Sequence, residues 1–195
     1  MSAVFVSASI PDPRRDARYH STADVVAIRE AVRALAAVVI CRAPLVFGGH
    51  PAITPLIRHV AERVGHADRI TIYQSEYFRA FFPTDNAFFR NMVVVPEVPG
   101  DREASLLQMR TTMFQAHDFA GGVFIGGMEG VEQEFDLFRQ LCPRARWFPV
   151  GTSGAAARIV LDAHKAELSA VEHAALAKDL VYGPMFEQLL GYVRP

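Results

Sequence analysis

The stretch Val123-Phe124-Ile125-Gly126-Gly127-Met128-Glu129-Gly130-Val131-Glu132-Gln133-Glu134 decides the fold. Its β-branched and aromatic start reads as a buried strand, the glycines stop that strand, and Val131 to Leu141 is amphipathic at helical spacing. A strand that breaks on glycine and runs directly into a helix is half of a βαβ unit, and the same half-unit recurs along the chain. Val4 to Ile10 is a strand ended by Pro11-Asp12-Pro13, and Asp24 can cap a helix through Val25, Ile28, Val32, Leu35 and Val39. Pro44 to Phe47 is a strand closed by Gly48-Gly49-His50-Pro51, followed by a helix over 53–64. Arg69 to Gln74 and Met92 to Val95 are further strands, and a helix beginning at Asp101 or Ser105 runs to about His117. Arg146 to Val150 is the last strand, turned by Gly151-Thr152-Ser153-Gly154 into a short Ala-rich helix. The alternation predicts one α/β, Rossmann-like domain over 1–195. Its core, over about 1–160, is a mostly parallel sheet of six or seven strands with helices on both faces, and a helical extension covers about 163–195. The aromatic segment from Tyr77 to Phe89 is the least regular part, and it reads as core or interface in preference to a base-stacking platform.

Composition narrows the function. Hydrophobic residues make up 51% of the 195 and charged residues 21%, an ordinary globular balance that needs no disulfide or metal staple. Twenty Lys and Arg against 21 Asp and Glu leave a net charge of -1, so neither duplex nucleic acid nor an anionic membrane is an expected partner. Cys41 and Cys142 are far apart and outside any C-x-x-C pattern, which fits a reducing compartment; the N-terminus lacks the basic start of a signal peptide, and a cytoplasmic location is expected. His20, His59, His66, His117, His164 and His173 are dispersed without ligand spacing, so no metal and no resident cofactor are expected.

Three strands end alike, in Ser7-Ala8-Ser9, Gly48-Gly49-His50 and Gly126-Gly127 with Gly130; Gly151-Thr152-Ser153-Gly154 is a fourth such end. In an open parallel sheet all these ends share one edge, where helix N-termini favour an anion and glycine lets a ligand come close. The pattern predicts a phosphate- or nucleotide-binding crevice bordered by Ser7, Ser9, Gly48, Gly49, His50, Gln74, Arg110, Gly126, Gly127, Gly130, Thr152 and Ser153. Arg14 or Arg18 of the basic loop is placed to reach a phosphate. Neither G-x-G-x-x-G nor G-x-x-x-x-G-K-[ST] occurs, so a standard dinucleotide fingerprint and an NTPase are not indicated.

The order of these motifs, with Gln108-Met109-Arg110 and Met113 on the helix before the glycine strand, resembles the SLOG superfamily over about residues 1–160. That group of Rossmann-like domains includes LOG phosphoribohydrolases, the N-terminal domains of TRPM channels and sensor domains of bacterial antiviral systems. LOG enzymes carry Pro-Gly-Gly-x-Gly-Thr-x-x-Glu and an Arg-Lys pair on the preceding helix. Here Ile125 stands for the Pro, one residue is added before Gly130, Val131 stands for the Thr, and Glu134 falls at the catalytic Glu; Arg110 is present and Thr111 replaces the Lys.

The resemblance implies two functional classes. One is a domain that senses a nucleotide-derived signal, NAD-derived or like cyclic ADP-ribose, in bacterial defence signalling, with output through an effector polypeptide. The other is an N-glycosidic hydrolase of a nucleoside monophosphate or NAD, with Glu134 and Arg110 as catalytic residues. Val131 and Thr111 favour sensing. A scaffold with a vestigial crevice is a third, blander reading. A homo-oligomer is expected from the apolar C-terminal helices and the aromatic segment.

Overall fold

The computed structural model describes residues 2–193. Strand β1 (Ala3–Ser9) is followed by the single turn α1 (Ala17–His20) and the long helix α2 (Val25–Ile40). Then come β2 (Leu45–Gly48), α3 (Thr54–Val64) and β3 (Ile70–Ser75). Two 3-10 turns, Glu76–Phe81 and Thr84–Phe88, occupy the irregular aromatic segment and lead to β4 (Asn91–Val95). The second half runs α4 (Arg102–Gln115), β5 (Phe119–Gly126), α5 (Glu129–Leu141) and β6 (Arg146–Val150). A 3-10 turn, Gly151–Ser153, leads into α6 (Ala155–His164), α7 (Ala170–Lys178) and α8 (Tyr182–Leu189).

The six strands form one sheet in the order β4-β3-β2-β1-β5-β6, and every pairing is parallel. The order reverses between β1 and β5. Where it does, a crevice opens outside the carboxyl ends of the strands, the place where open α/β sheets hold ligands. The caps expected from sequence are present: Asp24 accepts from the Ala27 amide at 2.9 Å, and Asp101, rather than Ser105, caps α4 through the Ala104 amide at 2.9 Å. Among the described residues no helix is long and apolar enough to cross a membrane.

Side chains alternate across the sheet, so each strand feeds two cores. Val4 and Val6, with Leu45, Phe47, Ile70, Ile72, Val123 and Ile125, pack under α2, α3 and α8. Phe5, Val46 and Phe124 face the other way, against α4, α5 and α6. On that second face Phe5 meets Phe114 edge-on at 4.8 Å and stacks on Phe138 at 5.4 Å, while Phe114 and Phe138 lie 5.5 Å apart. Such edge and offset pairs fix the relative setting of the helices beyond what area burial does, and they hold α4 and α5 side by side over β1.

The C-terminal helices are part of this core rather than an addition to it. Met185, Phe186, Leu189 and Leu190 are buried against α2 and its neighbours. Of the apolar sets from which self-association was expected, the one on α8 is thus buried within the chain, while Val171 on α7 and the neighbouring Leu180 and Val181 stay exposed.

Candidate functional site

Alternation along β1 sets up the site. Phe5 and Ser7 are two residues apart and share the face covered by α4 and α5, so the strand's last apolar residue on that face is followed by a hydroxyl at the open edge. Helical spacing does the rest. Gly130 and Glu134 lie one turn apart on α5, while Val131, Phe135 and Phe138 are buried. On α4, Leu106, Met109 and Arg110 line the cleft, with Met113 and Phe114 buried beyond them.

These surfaces enclose a cleft of about 430 Å3, within the range of small-molecule sites. Its polar end is a bonded set. The Ser7 hydroxyl donates to Glu134 Oε2 at 2.5 Å, in the range of a hydroxyl on a carboxylate. Arg110 donates from Nε to Glu134 Oε1 at 3.1 Å, from Nη1 to Gln133 Oε1 at 2.9 Å and from Nη2 to the Gly130 carbonyl at 3.4 Å. The side chains of Arg110 and Glu134 are only 9% and 17% exposed, so this is an enclosed pair and not a solvated helix-face carboxylate. Beside it, α5 follows Met128 at its N-cap position with no side-chain cap, leaving the first amides of the helix and its positive dipole end at the cleft, where Met128, Glu129 and Gly130 line the wall.

The three glutamates at the start of α5 are each matched to an arginine. Glu134 pairs with Arg110, Glu132 with Arg18 at 2.8 Å, and Glu129 with Arg15. The Tyr19 hydroxyl also donates to Glu132 at 2.9 Å.

On the opposite wall, Gly48, Gly49 and His50 line the cleft with Gln74, which donates to the Gly49 carbonyl. The His50 Nδ1 accepts from the Ala52 amide at 3.1 Å, so the ring caps its own turn while it borders the cleft. Burial pushes its imidazole down to about 4 and keeps it neutral near neutral pH. Tyr73 also lines the cleft, with its hydroxyl 3.0 Å from His117 Nε2. Desolvation raises the tyrosine and lowers the histidine.

The structure thus brings Ser7, Ser9, Gly48, Gly49, His50, Gln74, Arg110, Gly130 and Glu134 to one cleft, and it separates six other residues from it. Gly126 and Gly127 lie behind the wall: the Gly126 amide donates to Ser153 Oγ at 2.8 Å and the Gly127 amide to the Ser9 carbonyl at 2.8 Å, so neither is left for a phosphate. Ser153 is fully buried and donates to the Val150 carbonyl at 2.5 Å, while Thr152 Oγ1 sits 3.1 Å from the Tyr182 hydroxyl. The end of β6 therefore closes on itself and on α8. Arg14 points to solvent, pairs with Asp12 at 3.0 Å and holds that carboxyl down at about 2; Arg18 is engaged by Glu132.

The loop residue that reaches the cleft is Arg15, which the sequence reading passed over. It also passed over Arg102, and it read the aromatic segment that holds Phe78 and Phe81 as core or interface, whereas both rings line the cleft. A strand end followed by aromatics three apart was the available signal for the pair. For Arg15 there was none, since its neighbours carry the same charge.

No curated protein matches the chain in sequence. Among solved structures, the X-ray structure of TM1055, a structural-genomics target, is similar with a TM-score of 0.55 and 15% identity over 83% of this chain and 81% of that one, a likeness of fold alone. The sheet order, the cleft at its reversal point and a family model that matches residues 18–190 agree, and the chain belongs to the SLOG cluster3 family.

Proposed function

We propose that this chain binds a nucleotide-derived small molecule and acts as its sensor, with the ribosyl end of the ligand at Ser7, Arg110 and Glu134. Membership of the SLOG cluster3 family supports a nucleotide-related role in general. The observation that carries the reading is the Glu134 carboxylate, held at the cleft by Arg110 and Ser7 beside the uncapped start of α5. A carboxylate oxygen has lone pairs beyond the one each of these donors uses, and a ribose diol supplies donors for them. The free amides of α5 and Arg15 favour a phosphate next to it.

Sensing is preferred to turnover because glycosidic cleavage needs both a placed carboxylate and a firmly held phosphate. Val131 brings a buried methyl group where the resembling hydrolases bring a hydroxyl, and Thr111 brings no cation. The signal is of the NAD-derived or cyclic ADP-ribose kind, and its output passes to an effector polypeptide or through self-assembly.

A thermal-shift series with AMP, ADP-ribose, NAD and cyclic ADP-ribose isomers tests binding, since a ligand at a hundred times its dissociation constant adds about 2.7 kcal/mol. Chromatography of the same mixtures tests turnover. Under sensing, wild-type protein releases no base and Glu134→Gln weakens binding. The hydrolase reading is favoured by one feature, the direct Arg110 to Glu134 pair. It requires base release by wild type that Glu134→Gln abolishes while affinity is kept.

A further inference from the structure

The cleft has a second end that the ribosyl reading leaves unused. Its lining also includes Phe47, Leu106 and Met109, and with them Phe78 and Phe81 on the 3-10 turn that follows β3. A 3-10 helix has three residues per turn, so side chains three apart eclipse one another, and the two rings share the face that looks into the cleft. Phe78 is half-buried, set edge-on to Tyr77 at 5.0 Å, with the Arg102 guanidinium 5.9 Å from its ring centre. Phe81 is 75% exposed. A lone exposed phenylalanine needs no explanation on a protein surface. This one is in register with a second ring, and both line the cleft that holds the polar set of Ser7, Arg110 and Glu134.

We propose that Phe78 and Phe81 are a stacking platform for the planar base of the ligand, with Arg102 completing it, so that the cleft recognises an intact nucleoside unit rather than a sugar phosphate. The inference rests on the nucleotide reading above and goes beyond it by assigning the base a place and a chemistry. A nucleoside has two unlike halves, a polyhydroxylated sugar and a flat π-surface, and the cleft lining offers a partner for each, the polar set of Ser7, Arg110 and Glu134 and the rings of Phe78 and Phe81. Stacking tolerates any base, since each has a π-face. His50, neutral and bordering the same cleft, and Gln74 are the polar groups available to a base edge.

The test compares AMP with ribose 5-phosphate by calorimetry on wild type, Phe81→Ala and Phe81→Trp. Because Phe81 is exposed, both variants should melt with the wild type. The platform requires wild type to bind AMP about tenfold more tightly than ribose 5-phosphate, and Phe81→Ala to lose most of that advantage with ribose 5-phosphate affinity unchanged, the scale of one stacked base. Phe81→Trp should keep the advantage and add a tryptophan emission that AMP quenches and ribose 5-phosphate does not. Equal binding of the two probes, or an AMP affinity indifferent to Phe81→Ala, overturns the platform and leaves the ribosyl reading standing. Failure of both probes to bind overturns the ribosyl reading together with the platform. A lower oligomeric mass for Phe81→Ala with AMP affinity unchanged would assign the ring to an interface between copies of the chain, and would also overturn the proposal.

Discussion

At the end of β2 the chain reads Gly48-Gly49, at the end of β5 it reads Gly126-Gly127, and the same dipeptide is built into the same sheet edge in two ways. Gly126 and Gly127 have φ of 57° and 82°, and their amides are consumed by Ser153 and Ser9. The Gly127 carbonyl in turn accepts from the Ala156 amide at 3.2 Å. Gly49 shares part of this constraint, since its amide donates to the Tyr73 carbonyl at 3.2 Å and a Cβ there would sit 2.7 Å from Ile72, whereas Gly48 does not. A Cβ at Gly48 would sit 3.5 Å from the end of the Met109 side chain, in ordinary contact, and both Gly48 and Gly49 line the cleft. Two glycines after a strand therefore mark either a close approach of backbone to ligand or a close approach of backbone to backbone, and the neighbours decide which.

The largest effect should come from breaking the β5 turn. A methyl group at Gly127 would overlap the branched Val131 side chain and force a left-handed φ on alanine. Overpacking and left-handed strain together cost about 3 kcal/mol. For a chain of this length Gly127→Ala should lower Tm by roughly 10 °C, and Gly127→Ala with Val131→Ala should recover only the overlap. Equal melting of wild type and Gly127→Ala would show that the turn is not packed as described.

The β2 turn should answer to pH instead. The His50 pKa is about 4 in the folded chain and about 6.5 unfolded, so the unfolded state binds more protons between those values. Its contribution is complete above pH 6.5 and is lost as pH falls, by about 1.4 kcal/mol at pH 5.5 and about 3 kcal/mol near pH 4. His117, also lowered by burial, adds with the same sign. Unfolding by denaturant at pH 7.5 and 5.5 should show a smaller pH dependence in His50→Gln than in wild type; identical slopes would place His50 in solvent.

At neutral pH a loss below that of the β5 turn is expected from Arg110→Leu, which leaves Glu134 enclosed with Ser7 as its remaining donor: about 2 kcal/mol, together with loss of AMP binding. The smallest stability change belongs to Gly48→Ala, within about 0.5 kcal/mol of wild type, although its methyl group enters the cleft and should weaken AMP several-fold. If Gly48→Ala melts far below wild type, the contrast between Gly48 and the β5 turn collapses.

Much of this molecule is written in local pattern. Runs such as Val4 to Val6 and Val123 to Ile125 are strands because β-branched and aromatic residues suit a pleated, buried surface, and the intervening helices show their 3.6-residue period. A parallel order follows from strands separated by helices, and that alone puts Ser7, Gly48 and Gln74 at one edge, with Arg110 and Glu134 on the helices above it. The family match continues to residue 190, past the limit near 160 expected from motif order, and in this chain α8 supplies Phe186 and Leu189 to the main core.

Other choices were made only when distant segments met. Arg14 and Arg15 are chemically alike neighbours, and Arg15 faces the cleft because Glu129, more than a hundred residues later, stands beside it. Ser153 and Gly126 lose their hydrogen-bonding groups to each other, while Thr152 turns toward Tyr182. Phe89 is buried and Phe81 is exposed within one aromatic segment, since that segment lacks the periodicity that assigns faces. Secondary structure is set by residues a few positions apart, so the sequence alone carries it. Which polar group is left free for a ligand depends on which partners arrive from far along the chain, and only the folded arrangement decides that.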